Sequence, residues 1–412
     1  MADSETLKYG LAVLLFVGWT FQWNVHLLAI LYGKWRLYRQ RQVGVEEALS
    51  GISILKPLVG VDPHLYENLE TFFNLDYPLY ELIFCIEEEI DPAVMVVRSL
   101  LEKYPKVDAK LFIDLYQKQD VTYIIKTEIG AKRVGVNPKV NNMLQGYEAA
   151  NYELILISDC GLRMNRDTLK CMALALRENV GLVHQMPFVC DREGFAAVLE
   201  KVYFGTQHAK IYLTADLLGI NCVTGMSCLF RRSVLDEAGG LKSLGQYLAE
   251  DYYLGKIFFD KGWKTSICSQ PAWQNPGTYS VANFQARMTR WVKLRSAVQP
   301  FIVLMEPISE WLILGLIMSW AVTVIFDWSP VAFFFVHTLV WFLLDYILLR
   351  IVQNGPLPFT KTEYVIGWLF RECTSFYLLL RAHSSPILTW RSKHYLVKSS
   401  AQAEEIHIRS IV

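Results

Sequence analysis

Three aspartates and one basic–aromatic run carry the residue types that bond-making chemistry needs. Asp91 closes the acidic run Glu87-Glu88-Glu89-Ile90-Asp91 after the apolar stretch Leu82–Ile86, and Asp159 directly follows Leu154–Ser158. Asp251 stands in Ala249-Glu250-Asp251-Tyr252-Tyr253-Leu254, where a helical pattern starts, and Arg287-Met288-Thr289-Arg290-Trp291 precedes the C-terminal apolar block. A carboxylate can hold a cation or accept a proton. Arginine offers a rigid fork of donors that suits phosphate oxygens. Each residue also has a plain structural reading. An Asp after a strand commonly caps a turn or a helix, and Asp91-Pro92 has the form of a helix start. Glu250 and Asp251 favour the positive end of the helix they open, and a basic run with a Trp is common beside membranes. Lys139, at a helix start, reads equally as a phosphate contact and as surface charge. His208, inside Gly194–Leu218, reads as a packed or interfacial residue or as a ligand contact.

The elements that must position these groups form an alternating series. Ile52–Leu55, Tyr80–Ile86, Ala109–Ile113 and Glu153–Ser158 read as strands. Pro63–Phe73, Pro92–Tyr104 and Pro138–Ala150 read as helices between them. Such alternation predicts an α/β domain with a largely parallel sheet covered by helices. Ligands bind beyond the C-terminal ends of such strands, which is where Asp91 and Asp159 fall.

Membrane signals flank this domain. No Asp, Glu, Lys or Arg occurs between Lys8 and Lys34, a run longer than the roughly 20 residues that span a bilayer. Gln22, Asn24 and His26 within it predict a partner helix as well as lipid. Lys34, Arg36, Arg39 and Arg41 follow, so the run reads as an uncleaved anchor with a lumenal N-terminus and the next domain in the cytosol. Trp311–Phe326, Val331–Leu349 and Tyr364–Leu380 are further candidate segments, of which at least two are expected to span. Asp345, Arg371 and Glu372 interrupt them and are expected to face protein or water. Gly194–Leu218 is long and amphipathic and holds Glu200, Lys201 and Lys210, so it is expected to lie on the membrane surface. The organisation expected is an anchor over 1–50, a catalytic domain over 51–298, and a membrane region with a tail over 299–412.

Composition agrees. Hydrophobic residues make up 53% and aromatics 13% of the 412 residues, high for a chain that meets only water. Lys+Arg and Asp+Glu balance at 40 each, which removes the strong net-positive signal of a nucleic-acid binder. The eight cysteines contain no CxxC pair, which argues against a zinc site, and most sit in apolar runs as buried thiols of a reducing compartment do.

The order of the motifs is more specific than any one of them. Asp91, Asp159, Asp251 and Arg287-x-x-Arg290-Trp291 resemble the D, D, D, (Q/R)xxRW series of inverting family-2 glycosyltransferases. The likeness narrows at Leu55-Lys56-Pro57-Leu58, Asn68-Leu69-Glu70-Thr71-Phe72-Phe73, Asn137-Pro138-Lys139-x-Asn141-Asn142, Val202-Tyr203-Phe204-Gly205-Thr206, Cys222-Val223-Thr224-Gly225-Met226-Ser227-Cys228 and Ala249-Glu250-Asp251-Tyr252. These resemble the ceramide glucosyltransferase family, of the family 21 type, from the anchor to the tail.

The resemblance implies a GT-A, Rossmann-like domain that transfers glucose from UDP-glucose to ceramide with inversion, at a Golgi or ER membrane with its catalytic domain cytosolic. It implies Asp91 at the uridine–ribose end, and Asp159 on the metal or phosphate side with Mg²⁺ or Mn²⁺. Asp251 becomes the general base, Arg287, Arg290 and Lys139 become diphosphate contacts, and Trp291 and His208 sit on the acceptor side. The bilayer and a second copy of the chain are the remaining partners considered; nucleic acid is not one. Two departures stand out. Gly161 occupies the place where many GT-A enzymes carry a second Asp, and Asp114–Ile129 reads as an insertion. Processive polysaccharide synthases and polyprenyl-phosphate glycosyltransferases are the nearest rivals, although Arg287 stands where processive synthases usually carry Gln. A transporter is the rival suggested by Asp345 and Arg371-Glu372.

Overall fold

Runs of β-branched and leucine residues without a polar break dictate the centre of the molecule. In the computed structural model, which describes residues 2–39, 49–113, 124–126, 133–277, 279–390 and 393–406, the strand Leu154–Ser158 is buried at every position. Burial on both faces is what a helix-covered parallel sheet requires. An eight-stranded sheet forms in the order Lys264–Ile267, Val180–His184, Ser227–Arg231, Leu154–Ser158, Ile52–Leu58, Tyr80–Ile86, Ala109–Ile113, Ile124–Lys126. All neighbours are parallel except Ser227–Arg231, which runs against both of its partners. The predicted helices and strands end within about two residues of the observed ones, apart from the first strand, which continues through Pro57 to Leu58. Most of the expected insertion lies outside the described residues; Ile124–Lys126 within it forms the edge strand.

Topology creates the crevice. From the central strand Ile52–Leu58 the chain builds outward on one side, then returns to the other side with Leu154–Ser158. That reversal leaves an opening at the C-terminal strand ends. The antiparallel strand contributes its N-terminal end to the same rim, and Asp159 N–H donates to Met226 O at 2.8 Å. The helix Pro138–Glu148 lies close on the sheet because of Gly146: a Cβ there would meet Cys85 Sγ at 2.6 Å and Ile83 Cγ2 at 2.8 Å.

The chain divides into two units. One comprises Arg39–Cys190, Ala215–Tyr279 and Thr389–Val412, and holds this sheet. The other comprises Met1–Tyr38, Asp191–Thr214 and Ser280–Leu388. In the second unit the helices Ala2–Tyr38, Trp311–Phe326, Pro330–Gln353 and Lys361–His383 dominate. Among the described residues two stretches, Ser4–Tyr38 and Pro330–Gln353, are long and apolar enough to cross a membrane. Trp311–Phe326, at 16 residues, reaches only about 24 Å against a hydrocarbon core of about 30 Å. Ala12 packs fully buried with Met318, Ala321 and Val322, so the anchor helix does meet a partner.

The charges inside these helices face protein. Arg371 donates to Asp345 Oδ2 at 2.9 Å and to Thr206 Oγ1 at 2.7 Å, Trp368 Nε1–H donates to Asp345 at 2.8 Å, and His26 Nε2 lies 3.2 Å from Asp345. Breaking a buried pair of this kind costs about 3–5 kcal/mol.

The expectation for Gly194–Leu218 needs correction. Its polar residues do not mark a wet membrane-surface face: Glu200, Lys201 and Lys210 are all buried. Glu200 pairs with Arg192 and Arg287, Lys201 with Asp191 and Gln353, and Lys210 with Glu310 at 3.1 Å. Side chains outside the stretch satisfy these charges, from Asp191 and Arg192 just before it to Glu310 and Gln353 far beyond it. The stretch is three helical pieces, Phe195–Tyr203, a π-helical turn Phe204–His208, and Ala209–Leu218.

Candidate active site

In the sheet unit, Asn137 opens the helix that carries Lys139. Its side-chain oxygen caps the helix by accepting from Lys139 N–H at 2.9 Å and Val140 N–H at 3.2 Å. Capping fixes the first turn and aims Lys139 across the rim. Lys139 Nζ lies 2.8 Å from Asp159 Oδ1 and 3.2 Å from Glu250 Oε1, and it donates to Gly225 O at 2.9 Å. The Asn137 amide donates to Glu250 Oε2 at 3.0 Å and to Tyr247 O at 2.7 Å.

Asp251 completes the group. Its Oδ2 accepts from Gly225 N–H at 3.1 Å and its Oδ1 from Tyr252 N–H at 2.8 Å. Gly225 is required by this approach, since a Cβ there would meet Asp251 Cβ at 2.9 Å. Burial raises the Asp251 carboxyl to about 6, helped by the negative charge of Glu250 and opposed by Lys139. Lys139 shows the opposite balance: burial disfavours its charge, yet Asp159 and Glu250 outweigh burial and hold the ammonium above its ordinary value. A carboxylate poised near neutrality beside a fixed cation is suited to accept a proton.

Asp91 stands apart from this group. Its carboxylate accepts from Gly60 N–H at 2.8 Å and Ala93 N–H at 2.8 Å, tying the left-handed turn at Gly60 to the helix Ala93–Lys103. Gly161 stands where many GT-A enzymes carry a second Asp, and among the described residues nothing lies within 4 Å of where its Cβ would sit. Among the described residues no three His, Cys, Asp or Glu side chains gather as a metal cage.

Sequence reasoning missed the cation beneath Asp159. Lys56 is fully buried within an apolar strand; its Nζ donates to Asp159 O at 2.7 Å and Ser158 Oγ at 3.2 Å, and lies 3.8 Å from the centroid of the Phe72 ring. Burial pulls this ammonium down to about 7, against Cys160 and Asp159. The available signal was a lysine inside a strand buried on both faces, which demands a polar partner.

In the second unit, Ser280 caps the helix Val281–Val298, accepting from Asn283 N–H at 3.1 Å. Arg287 lies with its guanidinium carbon 4.7 Å from the Trp291 ring centroid, and its Nη1 is 3.5 Å from Glu200 Oε1. Trp291 stacks on His208 with centroids 5.7 Å apart and planes at 21°. Burial holds His208 well below its ordinary value, with Arg295 and Arg287 acting in the same direction, so the ring is neutral near pH 7. Its Nδ1 has no hydrogen-bond partner among the described residues. Arg290 is half-buried on the same helix. Lys139, Asp159 and Asp251 therefore meet in one unit, and Arg287, Trp291 and His208 in the other.

Comparison with known proteins agrees with the motif order. Residues 21–403 match the model of glycosyl transferase family 21. Ceramide glucosyltransferase 3 of Caenorhabditis elegans is 42% identical over 370 residues, covering 89% of this chain and 77% of that protein. Ceramide glucosyltransferase 1 of the same organism is 39% identical over 373 residues, covering 90% and 76%. A ceramide glucosyltransferase of Komagataella phaffii is 25% identical, covering 93% and 90%. Among solved structures, a mannosyltransferase from Pyrobaculum calidifontis in complex with GDP-Man and Mn²⁺ covers 91% of this chain and 97% of its own, at 15% identity and a TM-score of 0.46. With nearly the whole chain matched, from the anchor helix to the tail, this protein belongs to glycosyl transferase family 21.

Proposed function

We propose that the protein transfers glucose from UDP-glucose to the primary hydroxyl of ceramide, giving β-glucosylceramide and UDP. The observation that carries this reading is a raised carboxylate, Asp251, on one rim with the Lys139–Asp159 pair, in a chain whose relatives are named ceramide glucosyltransferases. The ceramide oxygen attacks the anomeric carbon, its proton passes to Asp251, and the bond to the diphosphate breaks on the opposite face, so one displacement inverts the centre. Charge grows on the departing diphosphate and needs fixed positive partners. Lys139 serves there, and Arg290 and Arg287 are assigned the same task. Asp91 is assigned to the uridine–ribose end, and Trp291 and His208 to the acceptor side.

A divalent cation fits the donor set in one way. Asp159 offers a single half-exposed carboxylate, already beside Lys139. Mg²⁺ or Mn²⁺ is commonly held by one carboxylate together with substrate phosphates. Asp159 would hold it, and the ion would supply charge neutralisation at the diphosphate. The helices Ser4–Tyr38 and Pro330–Gln353 support membrane residence. Lys34 and Arg36 at the end of the anchor support a cytosolic catalytic domain, and a Golgi or ER membrane is the assigned site. The organisation into 1–50, 51–298 and 299–412 belongs to the same proposal.

The testing experiment is a screen with purified protein. UDP-glucose, UDP-galactose and UDP-N-acetylglucosamine are each offered with ceramide, polyprenyl phosphate and no added acceptor. Glucose on ceramide alone is expected. A polymer without acceptor, or an acid-labile phospholipid, would replace this reading with one of its rivals.

A further inference from the structure

The turn 398–402 joins the antiparallel strands Lys393–Val397 and Ala403–Ile406, and it is closed by Lys398 N–H donating to Gln402 O at 2.7 Å. The turn touches the segment that leads into Asp251. Leu248 N–H donates to Ala401 O at 3.3 Å, Tyr247 and Gln402 form an antiparallel bridge, and the Tyr253 hydroxyl donates to Ser400 O. Tyr247 stacks on Tyr253 with ring centroids 3.7 Å apart. The helix opened by Glu250 and Asp251 is therefore gripped on both sides of its first turn.

Two features set this turn apart from an ordinary hairpin loop. Ser400 and Ala401 are consecutive residues with left-handed backbone, φ 62° and 52°, at positions that hairpin turns usually give to glycine or asparagine because a side chain there needs support from its surroundings. Ala401 is fully buried. The grip also reaches the ionic group: Tyr247 O accepts from the Asn137 amide, which donates as well to Glu250, the neighbour of Asp251 and partner of Lys139.

We propose that the tail hairpin is a positioning strap: residues 400–402 hold the Tyr247–Tyr253 segment so that the Asp251 carboxylate keeps its place at the rim. This rests on Asp251 being the base. The strap touches no substrate; it acts through Leu248, Tyr247 and Tyr253.

The test compares Ala401→Pro, Ala401→Gly, Tyr253→Phe and Asp251→Asn in the full chain, with turnover divided by the number of UDP-binding sites so that loss of folded protein does not count. Proline cannot adopt a positive φ, so Ala401→Pro should lower kcat per site roughly tenfold to a hundredfold, with KM for UDP-glucose within about twofold of wild type. Glycine adopts that conformation freely, and Ala401→Gly should keep wild-type kcat. Tyr253→Phe loses one hydrogen bond and should fall between them, and it decides the matter if the proline variant binds no UDP. A freed segment also lets water reach Asp251, so the acid limb of the rate profile should move below its wild-type position. The ionisable groups facing Asp251 are Glu250, Lys139 and Cys228, and none of them is altered. Wild-type kcat per site in both Ala401→Pro and Tyr253→Phe, with Asp251→Asn inactive, would overturn the strap while leaving the base in place. An active Asp251→Asn would overturn the base reading and the strap with it.

Discussion

Replacing Asp251 by Asn removes the proton acceptor while nearly preserving shape, yet the substitution is not silent structurally. The two carboxylate oxygens each accept one backbone N–H, from Gly225 and from Tyr252. Asparagine has one oxygen, so it keeps one bond and turns an NH₂ toward the other donor. Leaving that N–H unsatisfied should cost about 1–3 kcal/mol of stability. Loss of general-base catalysis should lower the rate by about 10²–10⁴, equivalent to roughly 2.7–5.5 kcal/mol in the barrier. The two effects separate in one assay: transfer from labelled UDP-glucose to ceramide, with enzyme counted by UDP binding. The stability cost reduces the number of sites, and the chemical cost reduces turnover at each site. Turnover per site within twofold of wild type would refute the assignment of Asp251 as base and the electrostatic argument behind it.

Three further outcomes follow from the same geometry. Asp251 must be deprotonated to act, so kcat/KM should fall as pH drops through about 6; Glu250→Gln removes a negative neighbour that raises this carboxyl and should move that limb to lower pH, and a limb that stays or rises would contradict the assignment. Arg290→Lys keeps the charge but loses the fork, so turnover should fall roughly 10- to 150-fold, for the loss of about 1.5–3 kcal/mol, with UDP inhibition weakened in parallel and membrane retention unchanged; full activity with full UDP inhibition would return Arg290 to an anchoring role. Protease added to sealed, right-side-out Golgi or ER vesicles should cleave within 51–276, and full protection of that region would reverse the orientation read from Lys34 and Arg36.

What the sequence made legible followed short-range rules. Apolar runs such as Leu154–Ser158 showed as strands because burial on both faces leaves no room for polar residues. The residues just past them, Asp159 above all, were placed at the rim by topology alone. The helix expected from Pro138 onward already places Lys139 in its first turn. What stayed hidden depended on partners far away in sequence. The antiparallel strand Ser227–Arg231 puts Gly225 beside Asp159 and Asp251, and nothing local distinguishes it from another parallel strand. Lys56 falls just past the end expected for the first strand, at Leu55, and its partners lie about a hundred residues on. Glu200, Lys201 and Lys210 read as a wet face because their partners, Arg192 and Arg287, Asp191 and Gln353, and Glu310, lie outside the stretch and are invisible to its periodicity. The strap was equally hidden: Ser400 and Ala401 carry no turn signature that betrays a left-handed backbone.

The central claim is tested most directly by the product itself. Purified protein is given UDP-glucose and ceramide, the lipid product is weighed by mass spectrometry, and its anomeric proton is read by NMR. A single hexose on the sphingoid primary hydroxyl in the β configuration is the result expected. An α linkage, a chain of hexoses, or sugar on a phosphate would contradict the account.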